Sequence, residues 1–481
     1  MVKTVYKFIS IACCLLALTC TRALAQGVIA PNFHETAQKD TSKQLLQADS
    51  IDDKSAIPRG IVSSSAGTAI SAANDDANSV STVLTTDSKN AFFDGKAQYM
   101  YEVKNPTDNA QAGTVSYQVF TEKGQGLSTA SLKVNIAKKG IAKYAFDIPE
   151  SQVGFYKVNF MVNVSDYDDT TRRVFGIRPE EIRSEHPKPA DFDQFWQNTK
   201  AELAKVAPNF KVTPMFKYNS PNRKVYLIEM QSLDNYTIHG WLTVPITSNK
   251  HKKFAVLLGL PGYQVDLKPM MGLDNDLAIV TLNVRGQGNS RGPINTRKEE
   301  YIFFRVEDKN RYVMRGAIMD CVRCVDFICS QPYLKHDQIL VSGGSMGGFL
   351  SLATAALDKR VALCSAQNPI LCDVRNLPGE VKWPISSFQD YIATKPGLTL
   401  DKVLTNLDYF DTKNFATDIT CPTIMGIGLL DPFAPPNNEY ATYNSIAGKK
   451  RIMVFRDLGH EVTAVYKELE GRWMRDYFGL F

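Results

Sequence analysis

The sequence predicts an α/β protein, a mostly parallel sheet with helices on both faces, preceded by a small all-β sandwich. Residues 254–258 and 339–341 are short apolar runs of the kind that form buried parallel strands, and each leads into a glycine-containing turn. Residues 115–119 and 156–164 instead alternate apolar with polar side chains, as strands with one buried face do. The two patterns therefore predict two kinds of sheet in one chain.

The most informative turn is residues 343–347, Gly-Gly-Ser-Met-Gly, which lies between an apolar strand and the helix-like segment 349–356. A G-x-S-x-G sequence between a strand and a helix is the nucleophile elbow of α/β-hydrolases. The turn leaves no room for side chains two residues before and after the serine, and Gly343 and Gly347 meet that requirement. Ser345 is therefore the predicted nucleophile, in preference to an ordinary glycine-rich turn.

The histidine and the acid of such an enzyme follow the serine in the chain, the acid first. Of six histidines, only His460 lies after Ser345, in the loop that follows a predicted strand. Asp431 ends the preceding apolar run and is the predicted acid. Asp457 is the weaker candidate, because it is too close to His460 in sequence to come from a separate strand.

An oxyanion hole needs two backbone N–H groups, one from the residue after the nucleophile and one from an earlier strand-end loop. Met346 supplies the first in this prediction. Tyr263 supplies the second, because it follows a predicted buried strand and Gly262 permits close approach. The alternative for this segment is a plain Pro-Gly turn.

Four further segments within residues 187–481 resemble the acetyl xylan esterase / cephalosporin C deacetylase family of α/β-hydrolases. Together with the elbow, they occur in the family's order along the chain. They are 187–196, similar to the family's opening helix; 285–290, similar to its R-G-Q-G-x-S loop; 407–416, similar to its Y-F-D-x-x-N-x-A segment; and 428–436, similar to the strand end that bears the acid.

The resemblance implies a serine esterase that removes acetyl or other small acyl groups from carbohydrate esters such as acetylated xylo-oligosaccharides. It implies Ser345 as nucleophile, Asp431 and His460 as its relay, and the Tyr263 N–H in the oxyanion hole. It implies that neither a metal nor an organic cofactor is required. It also implies a homo-oligomer, a hexamer in the family, although the added sandwich is able to alter that assembly.

Two residues depart from the family's pattern. Met346 stands where the family usually has Gln, and Pro261 stands where it has His. A Met at the first position keeps the backbone donor and removes any contribution of the Gln side chain. Both departures leave the predicted triad intact and bear on the choice of acyl or leaving group.

Two other functions compete with this interpretation. A prolyl-oligopeptidase-like peptidase also uses a G-G-S-x-G-G elbow, but it usually carries a propeller of repeated blades, and no repeat is present upstream here. A non-catalytic glycan-binding protein, in which the sandwich binds the sugar, has no need of an intact Ser345, Asp431 and His460. The sequence therefore favours the esterase.

Two further motifs have simpler explanations. Cys321 and Cys324 form a C-x-x-C within a helical apolar pattern, without a second Cys or His pair at zinc spacing, which predicts core thiols and no metal site. Gly286 and Gly288 follow an apolar run as in a dinucleotide-binding loop, but Arg291 occupies the position of the third glycine. The sequence therefore predicts no cofactor.

Residues 1–25 have the pattern of a cleaved signal peptide, with Lys3 and Lys7, an apolar run too short to span a bilayer, and Ala-Leu-Ala before the predicted cleavage site. This predicts an exported protein, periplasmic or extracellular. Cys20 suggests a lipoprotein instead, but Thr19 matches that signal poorly. The six cysteines after the leader lie between residues 321 and 421, and the sequence does not predict which of them pair.

The remaining domain boundaries follow from composition. Residues 26–88 are rich in Ser, Ala, Asp and Thr and predict a flexible linker, 89–178 an immunoglobulin-like sandwich, and 187–481 the hydrolase. The formal net charge is only +5, without a dense basic block, which argues against nucleic-acid binding.

Overall fold

A computed structural model describes residues 61–63, 79–272, 275–294 and 296–480. The predicted signal peptide and most of the predicted linker lie outside these residues. Within them, no helix is long and apolar enough to cross a membrane.

The all-β region consists of two sheets packed face to face. A three-stranded sheet has the order β2-β4-β7, and a five-stranded sheet has the order β3-β9-β8-β5-β6. Its core is aromatic, and the rings of Tyr99 and Phe160 lie 4.9 Å apart. The strands are β2 (Ser81–Thr85), β3 (Phe92–Phe93), β4 (Ala97–Lys104), β5 (Gln111–Thr121), β6 (Gly126–Ile136), β7 (Ile141–Ile148), β8 (Gly154–Val164) and β9 (Tyr167–Ile177).

Two strands lie within residues 26–88, for which the sequence predicted a flexible linker. Strand β2 belongs to the sandwich, and a three-residue strand, β1 (Ile61–Ser63), pairs in parallel with a strand of the hydrolase sheet. Strand β2 is short and rich in Ser and Thr, so its alternation is too brief to stand out from a polar linker. Its partner β4 supplies the pairing, which is tertiary information that the local sequence lacks.

The hydrolase region is built on a ten-stranded sheet in the order β1-β18-β17-β16-β15-β13-β14-β12-β11-β10. Strands β13 to β18 are parallel to their neighbours in this group, and β10, β11 and β12 form the antiparallel end. The strands are β10 (Lys211–Pro214), β11 (Arg223–Ser232), β12 (Tyr236–Pro245), β13 (Phe254–Leu260), β14 (Leu277–Asn283), β15 (Leu334–Gly344), β16 (Leu363–Gln367), β17 (Thr423–Gly428) and β18 (Lys450–Phe455).

Helices cover both faces of this sheet, so its central strands are buried throughout, as in β14. The C-terminal helix packs on one face against Leu340, Ile424 and Met453, while the larger core forms on the other face. This is the α/β-hydrolase arrangement predicted from the sequence. The helices are α1 (Phe192–Ala204), α2 (Val313–Ser330), α3 (Met346–Leu357), α4 (Ile385–Ala393), α5 (Leu400–Leu407), α6 (Thr412–Ala416), α7 (Pro436–Ser445) and α8 (Ala464–Phe478).

The sandwich contacts the hydrolase region through side chains near the carboxyl ends of β17 and β18. The N–H of Phe155 donates to Asn437 Oδ1 at 2.9 Å, and the Phe155 ring lies 5.2 Å from that of Tyr440. Arg173 of β9 forms an ion pair of 3.1 Å with Asp457, in the loop after β18. The sandwich therefore lies against the loops that follow these two strands.

The cysteines in the described residues are all free thiols. Cys321 and Cys324 are buried in α2, where burial raises the pKa of both thiols. A buried, protonated thiol is a poor nucleophile and a poor metal ligand. The C-x-x-C therefore packs in the core, as the sequence analysis predicted.

Candidate active site

Ser345 lies in the turn between β15 and α3, with a backbone conformation of φ 59° and ψ −122°. Positive φ is strained for a residue with a Cβ atom, and such strain is typical of a nucleophile elbow. The Ser345 N–H donates to the carbonyl oxygen of Gln367 at 2.8 Å, and the Ser345 carbonyl accepts from Phe349 at 3.1 Å. These bonds hold the serine at the carboxyl edge of the sheet.

The structure brings Ser345, His460 and Asp431 together. His460 Nε2 lies 2.8 Å from Ser345 Oγ, and His460 Nδ1 lies 2.6 Å from Asp431 Oδ2. Ser345, His460 and Asp431 lie in the loops after β15, β18 and β17. These strands are parallel and lie within four successive positions of the sheet, β18-β17-β16-β15. The sequence separation between them is large, yet the parallel strands deliver all three to one edge.

Asp431 is oriented by its own loop. Its Oδ1 accepts from the N–H groups of Phe433 at 2.8 Å and Ala434 at 2.9 Å, which leaves Oδ2 directed at His460. The Asp431 side chain is fully buried, while 19 % of the His460 side chain is exposed. A buried carboxylate therefore holds the imidazole on one side, and another part of the ring is exposed to solvent. Asp457, the weaker candidate acid, pairs instead with Arg173.

Glu439 is a second carboxyl group near Asp431. It was not predicted from the sequence. It is fully buried in α7, and neither of its oxygens has a hydrogen-bond partner among the described residues. Burial, and then repulsion from Asp431, raise the pKa of Glu439 well above its ordinary value. Its surroundings therefore favour the neutral form of Glu439.

The two predicted oxyanion donors lie in segments that flank the serine. Met346 is the first residue of α3, and its buried sulfur accepts from Gln287 Nε2 at 3.6 Å. Tyr263 follows β13, whose last residue, Leu260, is in register with Gly343 of β15. The Tyr263 hydroxyl accepts from the Ile302 N–H at 3.1 Å, which anchors the ring of this residue.

Aromatic rings line the approach to the histidine. The Tyr263 ring lies 5.1 Å from that of Trp383, which lies 5.9 Å from Phe433, and Phe433 packs edge-on against the His460 ring at 5.2 Å. Phe388, which lies in the same segment as Trp383, is buried in the core instead. The rings of Tyr263, Trp383 and Phe433 form an apolar wall beside His460, suited to a small acyl group.

Sequence analysis missed the pair of residues that joins the elbow to the histidine loop. Asn368 donates through Nδ2 to the carbonyl oxygen of Glu461 at 3.0 Å and accepts through Oδ1 from the Gly428 N–H at 3.1 Å. Gln367 Nε2 donates to the same Glu461 carbonyl at 3.0 Å. The one feature that could have identified them in the sequence is their position at the end of β16, beside the strand that bears the serine.

No group of three or more His, Cys, Asp or Glu side chains in the described ranges has the arrangement to hold a metal ion. The chemistry available at the site is that of a hydroxyl, an imidazole and a carboxylate in series. This arrangement turns a serine into a nucleophile and returns the proton to the leaving group.

We expect Gly347→Ala to destabilise the protein by about 2 kcal/mol and to lower its activity. A Cβ atom at Gly347 would lie 2.5 Å from the carbonyl oxygen of Leu260 and 3.2 Å from that of Pro261, and these backbone atoms cannot shift easily. Urea denaturation measures the loss. Gly471→Ala in α8 is the matched control, since its Cβ would meet only Arg475 Nη1 at 3.5 Å and Ala favours helices. Equal stabilities of Gly347→Ala and the unchanged protein would contradict the tight elbow.

Comparison with known proteins gives a consistent result. The sequence model of the acetyl xylan esterase (AXE1) family matches residues 178–477. The acetyl esterase Axe7A of Xylanibacter ruminicola is 28% identical over 313 residues, which cover 62% of this chain and 70% of that protein.

Solved structures lead to the same family. The acetyl xylan esterase of Paenibacillus sp. R4 superposes with a TM-score of 0.56 at 28% identity, over 62% of this chain and 98% of that chain. Acetyl xylan esterase 1 of Thermoanaerobacterium sp. JW/SL YS485 gives a TM-score of 0.56 at 26% identity, over 63% of this chain and 98% of that chain. The matches confirm the family resemblance seen in the sequence motifs: this chain belongs to the acetyl xylan esterase family of carboxylic ester hydrolases.

Proposed function

We propose that this protein is an exported serine esterase that removes acetyl groups from carbohydrate esters such as acetylated xylo-oligosaccharides. The observation that carries the proposal is the series of contacts from Ser345 Oγ to His460 Nε2 and from His460 Nδ1 to Asp431 Oδ2. Family membership supports the acetyl ester as substrate. The leader pattern of residues 1–25 supports export.

In this mechanism Asp431 accepts the Nδ1–H of His460, which leaves Nε2 free of a proton and able to act as a base. Ser345 Oγ attacks the ester carbonyl carbon while its proton moves to Nε2. The carbonyl oxygen becomes an oxyanion, which accepts from the backbone N–H groups of Tyr263 and Met346. The charged imidazole is stabilised by the buried carboxylate.

The intermediate collapses as the bond to the sugar oxygen breaks, and His460 gives its proton to that oxygen. The acetyl group is then held on Ser345 as an ester. Water enters, loses a proton to His460 and attacks the acetyl carbon, and acetate leaves as Ser345 regains its proton. The exposed part of the imidazole gives water access to this second step.

We expect Ser345→Ala to lower acetate release from acetylated xylo-oligosaccharides by about 10⁵-fold or more, because it removes the nucleophile that forms the acyl-enzyme. Acetate is measured after incubation of the variant and the unchanged protein with the same oligosaccharide. Ser445→Ala is the matched control: this serine bonds to the Ala441 carbonyl of its own helix and should leave the rate within twofold. Substantial acetate release by Ser345→Ala would contradict the mechanism. Turnover of 4-nitrophenyl acetate without release from sugars would keep the chemistry and overturn the substrate.

A further inference from the structure

A cavity of about 220 Å³ lies between the sandwich and the loop that carries Asp431. The sandwich contributes mainly polar residues to it, and the hydrolase contributes Glu380 and residues 429–432, 435 and 436, three of which are prolines. The sandwich residues that line it include Glu122, Lys157, Asn159 and Arg172.

The cavity contains buried acceptors that lack donors. Glu122 is 4 % exposed, and its Oε2 has no hydrogen-bond partner among the described residues; the same is true of Glu380 Oε2. Burial, and then repulsion from Glu380, raise the pKa of Glu122 to about 8, and burial raises the pKa of Glu380 to about 7. Buried oxygens without donors are rare and costly in folded proteins. A ligand with hydroxyl groups would supply the missing donors.

The sandwich side of the cavity also carries donors. Lys157 and Asn159 point to one face of β8, and Asn159 is in register with Arg172 of β9. Lys157 Nζ donates to the Glu122 carbonyl at 2.6 Å, which leaves hydrogen atoms of the ammonium for other acceptors. Pro432 and Pro435 supply apolar surface between these groups.

This mixture of groups selects one class of ligand. A metal ion fits poorly, because the described residues contain no cluster of three or more metal-ligating side chains and the cavity also holds cationic groups. An anion without hydrogen atoms cannot donate to Glu122 Oε2 and Glu380 Oε2, the two oxygens that lack partners. A neutral sugar ring has hydroxyls that both donate and accept, and apolar C–H faces that pack on prolines.

The cavity and the candidate active site share two chain segments. Asp431 contacts His460 through its side chain, and its neighbours Leu430 and Pro432 line the cavity. Glu380 also lines the cavity, and Trp383, three residues later, belongs to the aromatic wall beside His460. The cavity therefore adjoins the loop that carries the predicted acid and the segment that carries the aromatic wall.

We propose that the cavity is a subsite for a further sugar unit of the acetylated carbohydrate, built jointly by the sandwich and the hydrolase region. The proposal rests on the proposed function and extends it, since it gives the sandwich a role in substrate selection. The subsite would make longer acetylated oligosaccharides better substrates than a single acetylated sugar.

The test compares kcat/KM for acetylated xylotetraose and for monoacetylated xylose, using the full chain. We expect the unchanged protein to favour the tetrasaccharide by about tenfold. Asn159→Trp fills the cavity, so the ratio of kcat/KM for the tetrasaccharide to kcat/KM for the monosaccharide should fall to about one. Asn163→Trp is the matched control, because Asn163 lies exposed on the same face of β8, four residues further along, and its ratio should stay at the starting value.

Glu122→Gln serves as a second variant of unchanged shape, in case the larger side chain impairs folding. It replaces one carboxyl oxygen with an NH₂ group, which cannot accept a hydrogen bond from a sugar hydroxyl, and the ratio of the two kcat/KM values should fall by about threefold or more. A ratio near one in the unchanged protein, or one that neither variant alters, overturns the subsite while acetate release still upholds the proposed function. Failure of the unchanged protein to act on either sugar, with turnover of 4-nitrophenyl acetate, overturns both proposals.

Discussion

Asp431→Asn should lower kcat for an acetyl ester by about 10⁴-fold while leaving the fold unchanged. Asp431 Oδ1 accepts two backbone N–H groups, from Phe433 and Ala434, and the amide oxygen of Asn can keep both bonds. The amide nitrogen is then directed at His460 Nδ1. A donor at this position holds the proton of the neutral imidazole on Nε2, so the nitrogen that faces Ser345 is no longer a base.

The measurement is kcat with 4-nitrophenyl acetate, and circular dichroism verifies that the variant is folded. Asp457→Asn is the matched control, since Asp457 lies three residues before His460 and is ion-paired with Arg173 on the surface. We expect this control to remain within about threefold of the unchanged protein, because an exposed ion pair contributes little. An Asp431→Asn rate within tenfold of the unchanged protein, or an equal loss in both variants, would refute the assignment of Asp431 as the acid.

The triad was within reach of sequence reasoning because the fold restricts where its members occur. Once Ser345 is fixed in a strand-turn-helix, the order of the chain leaves His460 as the sole histidine available. Asp431 follows because the carboxyl ends of parallel strands meet at one edge of the sheet, and β17 lies between β16 and β18. The hydrogen-bond geometry agrees with this prediction, which the variants above test further.

Other parts of the site could not be predicted from the sequence, for a physical reason. Asn368 and Gln367 orient the histidine loop through backbone carbonyls, and a polar residue at a strand end has many equally good explanations. Glu122 and Glu380 meet across the sandwich–hydrolase contact, although 258 residues separate them in the numbering of the chain. Neither local pattern nor composition specifies how one sheet packs against the loops of another. The pair of carboxyl groups in the proposed subsite therefore emerges only from the structure.

Asp320→Ala should lower the free energy of unfolding by about 3–5 kcal/mol, the largest stability effect that we expect from a single substitution here. Asp320 is fully buried and binds Arg285 through three bonds: from Nε at 3.0 Å, from Nη2 at 2.8 Å and from the backbone N–H at 2.9 Å. Arg285 is itself buried, over the Tyr236 ring at 5.0 Å. Asp234, 3.5 Å from Nη1, has a side chain 69 % exposed and cannot compensate for the loss.

Urea denaturation measures the effect, and Glu468→Gln is the matched control. Glu468 pairs with Arg472 on the surface of α8, with both side chains largely exposed, so its loss should cost less than about 0.5 kcal/mol. A loss below about 1 kcal/mol in Asp320→Ala would show that the guanidinium finds water or another acceptor. The two ion pairs differ mainly in burial. Their losses should therefore differ in cost, because a charge left without its partner is solvated at the surface but not in the core. Gly286 and Gly288 resemble part of a dinucleotide-binding loop in sequence, and we attribute Arg285, which precedes them, to this structural role rather than to a ligand.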